Sequence, residues 1–81
     1  MGNQKAKLSS LPEISQLSGI AFHTLNYYTN LGLLSIADRR GNKRMFVESE
    51  ALQRLKEIQR LRREGYPLRM IRRQLAGFNL P

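Results

Sequence analysis

Glycine interrupts this chain wherever helical periodicity runs out: Gly19, Gly32, Gly65 and Gly77 each close a stretch whose apolar residues recur at helical spacing. The sequence therefore reads as four short helices. Ser10-Leu11-Pro12-Glu13 opens the first, because Ser10 can cap, Glu13 three residues on can complete a capping box, and Pro12 suits a first turn in which its missing N–H is harmless. Ile14 and Leu17 are expected on one face, and Gly19 is placed to end this helix in a left-handed conformation.

A second helix is expected from Ala21 to Leu31. Leu25 and Tyr28 face inward in this reading, while His23, Asn26, Tyr27 and Asn30 follow the i, i+3, i+4, i+7 pattern of one outer stripe. That stripe is almost uncharged but rich in hydrogen-bonding groups, which suits base edges and phosphates; an ordinary polar solvent face is the rival reading. Two helical turns, a glycine and a second helix are the opening of a helix-turn-helix. Next, Leu33-Leu34-Ser35-Ile36 and Met45-Phe46-Val47 are expected to pair as a two-stranded hairpin around the polar tip 37–44. The tip carries Arg39, Arg40, Lys43 and Arg44, so it can lie along a phosphate backbone as a wing; the alternative is a charged turn that only keeps the hairpin soluble.

The third helix is expected from Glu48 to Glu64, with Leu52, Leu55, Ile58 and Leu61 as its seam, acids in its first turn and arginines in its last. Pro67 opens the fourth, which runs to Ala76 with Leu68, Ile71 and Leu75 inward and Arg69, Arg72 and Arg73 outward or sideways, and Tyr66 is expected to pack at the corner between the two. The fold class predicted is mainly α, a winged helix-turn-helix of four helices with a small two-stranded β wing.

Charge sharpens this reading. Fourteen Lys and Arg against six Asp and Glu give a formal charge of +8, and all of the excess lies between Arg39 and Arg73, since the chain up to Asp38 is balanced. Such a distribution favours a polyanionic partner, although helices decorated for solubility are also rich in Lys and Arg. At 81 residues there is room for one modest core, and with no cysteine there is neither a disulfide nor a thiolate metal site. No apolar run approaches the roughly 20 residues of a membrane span, and the N-terminus lacks the apolar stretch of a secretory signal. The expectation is a cytoplasmic, nucleoid-associated protein with no membrane partner. Residues 1–7 read as a polar tail, 8–77 as the folded domain and 78–81 as a C-terminal tail.

The residues themselves resemble the N-terminal DNA-binding domain of the MerR family of bacterial transcription regulators. The match runs through Pro12 to Ile20, Thr24-Leu25-Asn26-Tyr27-Tyr28, Leu31-Gly32-Leu33-Leu34, Arg44-Met45-Phe46, and Leu61 to Leu68 before Ile71, and it spans roughly Leu8 to Gly77. The resemblance implies sequence-specific binding of duplex DNA, with the second helix in the major groove and the wing on the backbone. Carried over by position, it implies that His23, Thr24 and Asn26 face bases or nearby phosphates, with Asn30 completing their stripe. Tyr27 would donate its hydroxyl to a phosphate, Tyr28 would support packing, and Arg39, Arg40, Lys43 and Arg44 would hold the backbone. The implied partners are double-stranded DNA, a second copy of the chain as a homodimer or side by side on DNA, and RNA polymerase.

Departures from the family pattern are as informative. Asn26 stands where many relatives have Arg, His23 where they have Arg or Lys, and Lys43 where the wing commonly carries an aromatic, so charge-assisted contacts are redistributed and target preference is expected to differ. Ala21, Val47 and Pro67 replace the usual capping Ser or Thr, each loss worth about 0.5–2 kcal/mol. Relatives continue into a long helix that pairs subunits and then a sensing domain. A domain belonging to a longer regulator and a stand-alone recombination or DNA-architectural accessory protein both remain open.

No catalytic reading emerges. His23 is the single histidine, Ser9, Ser10 and Ser15 have no base partner at a recognisable spacing, and no Gly-rich phosphate loop is present, so neither an enzyme, a metal nor a cofactor is expected. The rivals from other classes are a small RNA-binding protein, for which Tyr27, Phe22 and Phe78 are the available stacking rings, and a module that binds an acidic protein partner.

Overall fold

A computed structural model describes residues 6–77. Its elements in chain order are β1 (Leu8–Ser10), α1 (Leu11–Ser18), α2 (Phe22–Asn30), β2 (Asp38–Arg40), β3 (Lys43–Val47), α3 (Glu48–Arg63) and α4 (Leu68–Gly77). Four helices with a small antiparallel sheet make this a winged helix-turn-helix, as expected. Phe78 and the expected tail 78–81 lie outside the described residues.

The sheet differs from the expected two-stranded hairpin. It has three strands in the order β1-β3-β2, with Ser9 opposite Phe46 and Arg39 opposite Arg44. Leu33 to Ile36 is not a strand: Leu33 and Leu34 are buried from an irregular segment that seals the core, and the charged stretch read as a tip is itself β2 and the start of β3. Charged residues are unfavourable in a strand only when their face is buried, and every residue of β2 is exposed. The real turn is Gly41-Asn42. Gly41 alone of the pair has a positive φ (62°), as a two-residue type II′ connection requires. β1 went unread because three residues are too few to display alternation. Glu48 fastens it twice: Ser9 Oγ donates to Glu48 Oε2 at 2.8 Å, and the Glu48 N–H donates to the carbonyl of Lys7, just before the strand, at 2.9 Å.

α1 starts as its sequence dictates. The Ser10 backbone N–H donates to Glu13 Oε1 at 2.8 Å, which satisfies a donor just outside the first turn. Chiefly that bond, and the Lys7 and Lys43 charges to a smaller degree, hold the Glu13 carboxyl below the usual carboxylate range. Gly19, at φ 77°, ends the helix with its N–H on the Ser15 carbonyl. Leu17 is exposed rather than inward; the core side of this short helix is Leu11 and Ile14, and Ile20 packs against the core once the chain has reversed.

The α3 seam also shifts. A strict spacing of three drifts around a helix of 3.6 residues per turn, so Leu52 and Leu61 lie about 180° apart and cannot share one face. Ala51, Leu55 and Ile58 are the buried face, Leu61 is buried further along, and Leu52 is only half-buried. Leu25, Tyr28, Phe46, Ile71 and Leu75 close the same core, so one apolar cluster holds α2, the sheet and α4 against α1 and α3. Tyr66 does not fill the α3–α4 corner: its ring is exposed and only its backbone N–H, on the Leu61 carbonyl at 3.1 Å, joins the junction.

Candidate nucleic-acid interface

α2 has no side-chain cap at Ala21; the Ala21 carbonyl accepts from the Thr24 and Leu25 N–H groups, both at 3.1 Å, and starts the helix unaided. What holds α2 is burial of Leu25, Tyr28 and Thr29 at i, i+3, i+4, with the Thr29 hydroxyl turned back on the Leu25 carbonyl at 2.8 Å. The opposite stripe is thereby fixed in direction. His23, Tyr27 and Asn30 are exposed and Asn26 is half-buried, all within roughly 100° of arc at 3.6 residues per turn. Thr24 is half-buried beside them. The paired tyrosines divide as their positions demand: Tyr28 is 7% exposed and Tyr27 53%, their rings 6.4 Å apart and tilted by 41°.

The wing reaches this stripe through one residue. Arg44 on β3 donates from Nη2 to Asn26 Oδ1 and from Nη1 to Asn30 Oδ1, the latter at 3.3 Å. Arg39 faces Arg44 across the β2–β3 ladder. Like charges at such positions repel, and the two amide oxygens offer Arg44 a partner away from its neighbour. Arg39, Arg40 and Lys43 are exposed and, among the described residues, free of ion pairs. The nine residues singled out from sequence thus fall into two adjoining groups. His23, Thr24, Asn26, Tyr27 and Asn30 line α2, Arg39, Arg40 and Lys43 edge the hairpin, and Arg44 joins them.

A third group was named in sequence only as a basic helix end. Gln59, Arg62 and Arg63 of α3 meet Thr24 and Tyr27 around an open cleft of about 440 Å³ on the side of α2 away from the wing. Arg62 and Arg63 make no ion pair among the described residues, whereas Arg60 is held between Glu57 and Glu64 at 3.0 and 3.1 Å. The run Arg60-Leu61-Arg62-Arg63 was the available signal, but only tertiary packing shows which of its cations flank Tyr27. Cationic and hydroxyl donors therefore bracket α2 on both flanks, an arrangement suited to a polyanion lying across the helix. Among the described residues no three His, Cys, Asp or Glu side chains gather as metal ligands, and no helix is long and apolar enough to cross a membrane.

Comparison with known proteins identifies the family of the fold. The sequence model of the MerR HTH family regulatory protein matches residues 10–77. Similar proteins include the nodulation protein NolA of Bradyrhizobium elkanii, 31% identical over 65 residues, and that of Bradyrhizobium diazoefficiens, 35% identical over 66. These matches cover 80% of this chain but 30% and 27% of the two relatives, so the chain spans under a third of their length. No solved structure matches it significantly. With a family match across nearly all of the described fold, the chain belongs to the MerR helix-turn-helix family of regulatory proteins, which act by DNA-binding control of transcription.

Proposed function

We propose that this chain reads duplex DNA in a sequence-specific manner, with α2 in the major groove and phosphates held on either side. The observation that carries this reading is the Arg44 link to Asn26 and Asn30, which makes the wing and the exposed stripe of α2 one surface. His23, Thr24, Asn26 and Asn30 face base edges and adjacent phosphates. Tyr27 donates its hydroxyl to a phosphate, together with Arg62 and Arg63 on one flank. Arg39, Arg40 and Lys43 take the backbone on the other, with Arg44 at the junction.

Each cation that neutralises a phosphate releases counterions, so six to eight such contacts give a slope of log affinity against log salt of about −5 to −7. One domain reading one half-site binds weakly, and useful occupancy follows when two copies sit side by side or are joined by sequence beyond the fold. RNA polymerase is the further partner that transcriptional control calls for, and the cytoplasm is where both would be met.

The test is a salt titration of the purified chain on duplex DNA and on single-stranded RNA of equal length. The expected result is tighter binding to duplex with the steep slope above. Equal or tighter binding to the single strand, with stacking on the exposed Phe22 and Tyr27 rings, would favour the RNA reading.

A further inference from the structure

The wing arginine nearest α2 does not behave as a free phosphate clamp. Its guanidinium is committed to two neutral side chains, Asn26 and Asn30, which stand one helical turn apart on the exposed stripe. A guanidinium has only donors, so the amide atom turned to it must be oxygen in both residues. The amino groups are then the parts of these amides left to meet a ligand. Neither donates to a protein acceptor among the described residues.

This has a direct chemical consequence in the major groove. An unencumbered Asn matches adenine by accepting from N6 and donating to N7, whereas guanine offers two acceptors, O6 and N7. With both oxygens turned to Arg44, and its positive charge lying against them, the surface is rich in donors and repels the amino groups of adenine and cytosine. Guanidinium N–H groups left over on Arg44 add to the same field.

Resting on the DNA-binding reading above, we infer that Asn26, Arg44 and Asn30 form one composite donor that selects guanine, with Arg44 as the positioning residue that sets the orientation of both amides. Arg44 accordingly determines base preference, and its effect is not the uniform loss on all sequences that a backbone contact would give. The unit discriminates guanine from adenine by about tenfold to a hundredfold, the range of a good bidentate base contact.

The experiment is selection of bound duplexes from a random pool by the full 81-residue chain and by its Asn26→Ala, Arg44→Ala and Arg44→Lys variants, each checked for helix content by circular dichroism. Asn26→Ala identifies the base pair that this unit reads by relaxing choice there. At that pair the unsubstituted chain is expected to require guanine, and Arg44→Ala to admit adenine while the rest of the motif persists. Arg44→Lys, which keeps the charge but lacks the fork, is expected to lose the guanine preference with its salt slope unchanged. An Arg44→Ala variant that binds every sequence more weakly but retains the motif would overturn the inference. So would adenine at the Asn26-dependent pair of the unsubstituted chain, a result that stands even if Arg44→Ala fails to fold. Either of these results overturns this inference alone, whereas duplex binding without any enriched motif would overturn it together with the sequence-specific part of the proposed function, and absence of duplex binding would overturn the DNA-binding reading whole.

Discussion

Arg72 on α4 donates its Nε–H to the backbone carbonyl of Leu31, 2.7 Å away and 41 residues earlier in the chain. Leu31 is the C-terminal cap residue of α2, where carbonyls lack helical partners and the helix dipole favours a cation. An arginine expected to point outward or sideways from α4 therefore fastens the end of the candidate recognition helix. Arg72→Ala should lower stability by about 1 kcal/mol, since the bond is charge-assisted but solvent-exposed. In a domain of this size that is a fall of about 4–8 °C in Tm. Arg69→Ala, at an exposed site with no hydrogen bond among the described residues, should leave Tm nearly unchanged in the same thermal denaturation series.

Gly19 isolates a backbone effect. A Cβ built there meets nothing within 4 Å, so substitution creates no clash, yet φ is 77°. Gly19→Ala should destabilise by about 1–2 kcal/mol, entirely through the left-handed conformation, and Gly19→Asn by less. Chemical denaturation of the two variants checks this, with Asn expected between Ala and Gly.

Tyr27 is 53% exposed, and its ring shields little of the core. Tyr27→Phe should leave the denaturation curve in place while weakening duplex affinity about fivefold on every sequence, the equivalent of one hydrogen bond near 1 kcal/mol. Fluorescence anisotropy on two unrelated duplexes would measure both the loss and its uniformity.

Acid should loosen the start of α1. The Ser10 backbone hydrogen bond holds the Glu13 carboxyl below its ordinary range, so the proton is bound more weakly in the folded chain than in the unfolded one. The stabilisation is complete at neutral pH, begins to fail as pH drops through the usual carboxylate range, and is lost once pH passes below the folded value. Glu13→Gln should therefore be less stable than the natural chain at pH 7 and show a smaller decline in Tm on acidification.

Much of this fold was legible because its signals are local. The Ser10–Glu13 capping box, the stops at Gly19, Gly32 and Gly65 and the inward Leu25 and Tyr28 are each written within a few residues, and the structure places these as read, while Gly77 is the last residue of α4 rather than a stop beyond it. Three misreadings share another cause. Strand β1, the exposed Leu17 and the irregular Leu33–Ile36 segment depend on what lies opposite them, and apolar character alone does not distinguish a strand from a buried loop. At the interface, helical spacing was enough to group His23, Asn26, Tyr27 and Asn30. Residue type placed Arg44 with the phosphate contacts, but its amide partners lie 14 and 18 positions away. The side of α2 on which Arg62 and Arg63 would fall was set by packing alone.

Whether α2 and the hairpin act as one face can be read from amide chemical shifts of the isotope-labelled chain as duplex DNA is added. The largest changes are expected over Phe22–Asn30, over Asp38–Arg44 and at Arg62 and Arg63, with Gln16, Leu17 and Gln53 little affected. Shifts centred on those last three residues, or on α2 without the hairpin, would contradict it.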